Sequence, residues 1–551
     1  LKKHWPLPAA LAVLYAVLGV SLAASLAQND GHFVYALDDP YIHMAVAKNL
    51  AEHGVYGVTP HGFSYSTSSI VWPWLLWLTH LICGPNTIGP LAWNVGFATA
   101  AVSLIYALLK KQGVPPRLNF AFLLIISFGT PLPAIIFTGL EHTLHVLLAV
   151  AFLFVAAKFL AQGSVASETS PRGLRALYFA LPVLLTMTRY ESALMIAVVC
   201  LLWVIRGRIR HAVVLGALAA LPIILSGLIS LAHGWHFLPN SVLLKGRMPP
   251  GSSLEQVYRS LHATAATLYR QPHLPAMLAA AILLLVVLHR TDRRRWTVDK
   301  NMLWILLLIA ALHVQFAKTG WFFRYEAYLM ACGLFAVLTV AYEQLARAGR
   351  PVFSWRPHVL RVAMLLVVVA SAIRGVQSTA SIPLASSNIY QQHFQMARFV
   401  ARYYAGRGVA ANDVGAINYY VDIHNLDLWG LCSLEVADAR LAQQYGPEII
   451  DRLAEANRID VAMVYDHWFE RYYGGLPPTW QKVAEWEIAD NLVCGGRCVS
   501  FYAVKADQRR RLAENLAEFS ADLPGGVIQR GPFSAEEQPV ARVAVLPNSP
   551  K

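Results

Sequence analysis

The sequence predicts a polytopic α-helical membrane protein of about 11 transmembrane helices with a C-terminal extracytoplasmic α/β domain. Three observations lead there. Of 551 residues, 56% are hydrophobic and 14% charged, against about 25% charged in an average soluble domain; the mean hydropathy is +0.45. The apolar residues come in long runs, many close to the roughly 20 residues that cross a bilayer. From about residue 375 those runs stop, and strand-like pieces (GVAAND, VAMVYD, CVSFYAV) alternate with amphipathic stretches at 390–405 and 436–457.

The net charge of +13 does not imply a nucleic-acid partner. The basic residues sit in short clusters between apolar segments, as cytoplasmic loops do under the positive-inside rule. The first segment, about 7–27, follows Lys2 and Lys3, which places the N-terminus in the cytoplasm. It exceeds the 7–15 apolar residues of a signal peptide, so an uncleaved helix is expected. It delivers an outer loop, 28–69, that carries Asp38 and Asp39, then Tyr41, His43, Lys48 and Asn49, and a polar turn around Tyr65. Adjacent acids at the mouth of a membrane segment are costly unless they face water or act. Capping of a helix that begins near Pro40 explains one acid more easily than two. Residues 70–83 are too few for a comfortable span and read as a re-entrant or interfacial helix, with Trp72, Trp74 and Trp77 at headgroup level.

Further crossings are expected at 87–109, 118–137, 142–161, 212–232, 272–289, 301–317, 325–345 and 358–374. Two short helices within 176–205, broken at TRYE (188–191), complete the set. Loops with Lys110, Lys111 and Arg117, with Arg172 and Arg175, with Arg206, Arg208 and Arg210, with HRTDRRR, and with Arg347, Arg350, Arg356 and Arg361 then fall on one side. Residues 1–374 form the membrane module, 375–522 the outer domain, and 523–551 an extended tail rich in Pro and Gly. Cys494 and Cys498 are close enough for a disulfide if the outer domain lies outside the cytoplasm; the other cysteines read as inert. The spacing of His32, His43, His53 and His61 fits no compact metal site.

Five polar elements meet on the outer side of this topology: Asp38/Asp39; Glu141, His142 and His145; Arg189 and Glu191; Asn240, Lys245 and Arg247; and Lys318, Arg324 and Glu326. A carboxylate can take the proton from an attacking hydroxyl. Arg324, Lys245 and Arg189 suit a phosphate, which at a membrane surface is most simply a lipid head. A sugar on that phosphate would be transferred as the phosphate leaves, its charge met by the cations. Glu141, His142, Tyr41, Tyr65, Asn240 and Trp321 are candidates for sugar or acceptor contacts. Structural alternatives stand beside each: an ion pair for Arg189/Glu191, helix capping for Glu141 and His142, snorkelling to headgroups for Lys245 and Arg324.

DDPYIHMAVAKNLAEHG, SYSTSS before a Trp-rich segment, TGLEHT, TRYE, LPNSVLLK and NDVGAINYY…LDLWGL together resemble the GT-C superfamily of lipid-phosphosugar glycosyltransferases. Within it they resemble the bacterial arabinofuranosyltransferases of cell-envelope polysaccharides. SYSTSS and TRYE stand where that branch more usually has Gly-Tyr-Thr-Ser-Pro and Arg-Pro-Glu or Arg-Pro-Asp. The resemblance implies a GT-C-like fold, a multi-pass place in the bacterial inner membrane, and inverting transfer from a polyprenyl-phosphate sugar to an extracytoplasmic glycan, lipid or protein. It implies that the base is the acid of the first outer loop, by position Asp38 or Asp39, with Asp38 preferred, and that the outer domain assists acceptor binding. Some superfamily members use a divalent cation and others none, so no cofactor is assigned. A different lipid-linked sugar such as mannose, or a transporter or flippase for such lipids, is the rival reading; a transporter should carry its polar groups at the bilayer midplane.

Overall fold

The computed structural model describes residues 4–165, 171–244, 253–291, 296–347 and 356–533. An apolar helix, α1 (Pro6–Gln28), opens with proline in its first turn, where a missing N–H leaves no bond unmade. An outer excursion then carries α2 (Asp39–His53) and α3 (Trp72–Cys83). The chain returns through α4 (Gly89–Lys111), α5 (Pro116–Gly129), α6 (Leu132–Phe137) and α7 (His142–Gln162). Next come α8 (Arg172–Thr188) and α9 (Ser192–Ile205) on either side of TRYE, then α10 (Ile209–Ala232) and the single turn α11 (Asn240–Leu243). The module ends with α12 (Ser253–Arg270), α13 (His273–Thr291), α14 (Val298–Phe316), α15 (Ala327–Arg347) and α16 (Arg356–Ile389).

Among the described residues, eight helices are long and apolar enough to cross a membrane. Three other positions where crossings were expected hold α5, α8 and α9, of 14, 17 and 14 residues, short of an upright span of about 20. The run at 118–137 is cut by Gly129 and Pro131, so α5 stops and α6 restarts beyond the proline. Between 70 and 83 lies the 12-residue α3, with Trp74, Leu81 and Ile82 exposed. Burial sorts the bundle: α7 and α15 lie inside it, while α1, α10 and α16 turn most of their apolar surface outward.

The last expected crossing, 358–374, is only the first half of α16. That helix runs on to Ile389, through a π-helical turn at Tyr390–Phe394, into α17 (Gln395–Tyr403). The polar outer half stays helical with its small polar side chains tied to neighbours: Asn29, just past α1, donates to Ser386 Oγ, Ser386 to the Val34 carbonyl, and Asn388 to the Asp490 carbonyl.

Beyond it lie β1 (Gly408–Ala411), α18 (Gly415–Tyr420), β2 (His424–Asp427), α19 (Leu434–Leu441), α20 (Pro447–Ala456) and β3 (Ile459–Val464). Then follow α21 (Asp466–Tyr473), β4 (Gln481–Ile488), β5 (Cys498–Ala503), α22 (Arg509–Phe519) and β6 (Val527–Arg530). The six strands form one sheet in the order β2-β1-β3-β5-β4-β6, parallel from β2 to β3 and antiparallel from there to β6. Phe399 of α17, Trp486, Phe501 and Phe519 fill its core, with Trp486 and Phe501 4.4 Å apart.

Two expectations are corrected here. The segment from 523 is no free tail, since β6 pairs with β4 through Arg530 and Glu485; residues 534–551 lie outside the described part. The Cys494–Cys498 bridge is not formed and both thiols are free. The Cys494 Sγ turns inward to the Asn388 carbonyl at 3.4 Å, while Cys498 starts β5, pairing with Glu487 of β4.

Candidate active site

The outer loop turns sharply into α2 at Leu37-Asp38-Asp39-Pro40, and consecutive residues there point apart. Asp38 does not cap α2 with its side chain. Its Oδ2 and Oδ1 instead accept the Gly415 and Ala416 N–H groups at 2.7 and 2.8 Å, so a carboxylate of the membrane module caps α18 of the outer domain. Only glycine allows the approach: a Cβ on Gly415 would lie 2.2 Å from the Asp38 carbonyl oxygen. Desolvation pushes the Asp38 carboxyl up to about 6, with nearby His393 opposing and Asp413 adding to the rise. Asp38, His393 and Asp413 bring ligand-capable atoms within 4.8 Å of one another, and His393 Nε2 lies 3.1 Å from Asp413.

Asp39 faces a cleft of about 400 Å³, part of it open to solvent. Arg324 Nη1 meets its Oδ2 at 2.6 Å. His43 stands one helical turn further along α2, on the same face, buried and held neutral by desolvation, which lowers its pKa. Ser66 and Ser68 of SYSTSS, Arg189, Ser241, Tyr325 and Leu431 line the remaining walls. Four polar atoms at this cleft are buried without a hydrogen-bond partner: His43 Nδ1, Ser66 Oγ, Ser241 Oγ and Arg324 Nε. Buried polar groups are ordinarily bonded, so such a concentration marks a surface built for a polar ligand.

Arg189 is held from below. It donates to Glu141 Oε1 at 2.6 Å and pairs with Glu191. Burial alone would push the Glu191 carboxyl up; the Arg189 guanidinium outweighs it and holds it at about 2. Glu141 is fully buried, its Oε2 without a partner, and Ser68 bridges weakly toward both it and His43, at 3.5 Å each. His142 lies behind, 3.5 Å from Arg189.

Other candidates sit elsewhere. Tyr41 points away from Asp39, to the rings of Tyr419 and Tyr420 at 5.9 and 5.7 Å, and its hydroxyl accepts the Tyr35 N–H. Tyr65 is buried with its hydroxyl 2.8 Å from that of Tyr190. Asn240 latches the modules, donating to the Gly430 carbonyl at 2.9 Å. Trp321 is 39% exposed on a turn beside the cleft, and Lys245 lies outside the described residues. Sequence reasoning did not single out Ser66, Ser68, Ser241 or Leu431 as site residues, and it weighed His43 only as a metal ligand. The spacing of His43 from Asp39 carried the usable signal, whereas Leu431 arrives from a distant domain and carried none.

Residues 387–502 match a family described as a domain of unknown function (DUF8728). No curated protein matches the chain. Among solved structures, the apo form of ArnT from Cupriavidus metallidurans is 12% identical, covers 91% of this chain and 99% of its own, and superposes with a TM-score of 0.50. The same protein bound to undecaprenyl phosphate is 11% identical, covers 92% and 99%, and scores 0.49. At such identity the likeness is one of architecture: the chain shares the fold of ArnT, a polytopic helical membrane module followed by a C-terminal domain with a small sheet.

Proposed function

We propose that this protein is a membrane glycosyltransferase that moves a sugar, with inversion, from a polyprenyl-phosphate donor to a hydroxyl of an extracytoplasmic acceptor. The observation that carries this reading is Asp39 paired with Arg324 in a cleft whose His43, Ser66, Ser241 and Arg324 polar atoms are buried without partners. Asp39 is the general base. As the acceptor oxygen bonds to the anomeric carbon, the bond from that carbon to the phosphate oxygen breaks, and the hydroxyl proton passes to Asp39. The polyprenyl phosphate leaves with its added negative charge facing Arg324. Arg189 contributes less, being already neutralised by Glu141 and Glu191. Those groups together bring two guanidiniums to three carboxylates. A phosphodiester therefore calls for one more cation, and Lys245 of LPNSVLLK is the sequence's candidate for it. No divalent cation is assigned. The motif resemblance favours arabinofuranose as the sugar and a cell-envelope glycan as the acceptor, at the outer face of a bacterial inner membrane.

The test is transfer by the purified full chain from a polyprenyl-phosphate sugar. Asp39→Asn should lower turnover about 10²–10⁴-fold, the usual worth of a positioned base, while polyprenyl phosphate still binds. Near-normal turnover in a folded Asp39→Asn protein would remove the base and the mechanism with it.

A further inference from the structure

The turn before Arg324 is unusual in its backbone. Gly320, Trp321, Phe322 and Phe323 have φ of 79°, 37°, 53° and 63°. A single non-glycine residue in the left-handed region is uncommon, and for a bulky side chain it is an outlier; here three aromatic residues adopt it in succession. Strain of this kind persists only where the surroundings over-determine it, and it concentrates at ligand clamps and switch regions.

The surroundings are specific. Glu326 Oε2 accepts the Gly320 N–H at 2.8 Å, and its Oε1 takes Arg374 Nη2 at 2.6 Å. Arg374, from α16, also donates to the Phe323 carbonyl at 3.1 Å and to His273 Nε2 at 3.0 Å, and its guanidinium sits 5.2 Å from the centre of the Phe323 ring. Both charged groups are almost fully buried. One ion pair thus grips both ends of the left-handed turn, and neither Glu326 nor Arg374 lines the cleft. What the turn delivers is Arg324, laid on Asp39.

We propose that Glu326 and Arg374 are positioning residues that hold Arg324 in a two-position role: on Asp39 in the ligand-free cleft, and on the donor's phosphate once the lipid binds. This rests on the glycosyltransferase reading and deepens it. The guanidinium occupies Asp39 Oδ2, so that oxygen cannot at once accept a hydroxyl proton. Transfer of Arg324 to the phosphate frees Asp39 to act as base, so donor binding itself arms the site. The left-handed turn fixes the Arg324 backbone at the cleft wall, so only its side chain has to move between the two positions.

Binding of a short-chain prenyl phosphate to the detergent-purified full chain tests this through a double-mutant cycle. Glu326→Gln and Arg374→Lys should each weaken binding about tenfold, Arg324→Ala likewise, and adding either to Arg324→Ala should cost nothing further. If the single variants fail to fold, the paired Glu326→Gln/Arg374→Gln protein, which leaves no lone buried charge, takes their place with the same expectation. Losses that add to that of Arg324→Ala, or unchanged binding in a folded variant, overturn the positioning role while leaving the function intact. A wild-type protein that does not bind the prenyl phosphate overturns both.

Discussion

Asp38 and Asp39 are chemically identical neighbours, and backbone direction alone divides their work. The first spends both oxygens on N–H groups of α18; the second keeps one side in the cleft, 32% exposed, against Arg324. The family resemblance prefers Asp38 as base and the proposal here takes Asp39, because a strand-helix junction 377 residues away, which nothing local announces, occupies both Asp38 oxygens. His43 gives a prediction at this scale. Burial lowers its pKa in the folded protein, so the folded state binds fewer protons than the unfolded one near the ordinary His value. Above about pH 6.5 both states are neutral and nothing is lost; as pH falls below it, the unfolded state gains protons and stability drops. His43→Gln should therefore show a shallower fall in thermal midpoint than wild type between pH 7 and 5.5. Parallel curves would mean that His43 is accessible to protons in the folded state.

Elements were legible where their pattern is self-sufficient. β1, β3 and β5 are apolar runs buried in the sheet and could be read directly. β2 is four residues with exposed His424 at its start, β4 (QKVAEWEI) carries charged residues and a register shift, and β6 sits in a Pro/Gly-rich stretch. Pairing partners, rather than intrinsic preference, make them strands. The outer half of α16 was hidden for the same reason: its serines and threonines end the apolar run, and distant partners such as Asn29 and the Val34 carbonyl, both on Ser386, hold it. The α2–α18 contact is the joint between the two modules, and its tolerance is testable at Gly415. An added Cβ would sit 2.2 Å from the Asp38 carbonyl oxygen and 2.6 Å from its Oδ2, so Gly415→Ala must push the modules apart. Overpacking of this kind costs about 1–3 kcal/mol. Gly415→Ala should lower the thermal midpoint and speed proteolytic release of the outer domain. Gly525→Ala, whose Cβ meets nothing within 4 Å, should do neither. Equal behaviour of the two would show that the joint is loose.

At the scale of the whole molecule, the sorting of charge along the chain carried the most information. Lys110 and Lys111 end α4 and Arg206 follows α9, at the opposite ends of those helices from the cleft, which is the sorting the positive-inside rule gives for a cleft on the outer face. The candidate site itself was only half legible, since α2 and the TRYE break are local features while Ser241 and Leu431 reach the cleft through long excursions. A cleft that serves a lipid-linked sugar must open on the side away from the basic loops, where the headgroup and an extracytoplasmic acceptor can meet over Asp39. Orientation is therefore a direct consequence of the proposed chemistry and can be measured apart from it. In intact cells carrying Cys83→Ser, Cys432→Ser and Cys498→Ser, which remove the exposed thiol and the two part-exposed ones of the outer domain, a membrane-impermeant maleimide should label Glu455→Cys on the exposed surface of α20. It should leave Lys111→Cys, at the exposed end of α4, untouched until the membrane is opened. Labelling of both before lysis, or of Lys111→Cys alone, would place the cleft on the wrong side for an extracytoplasmic acceptor.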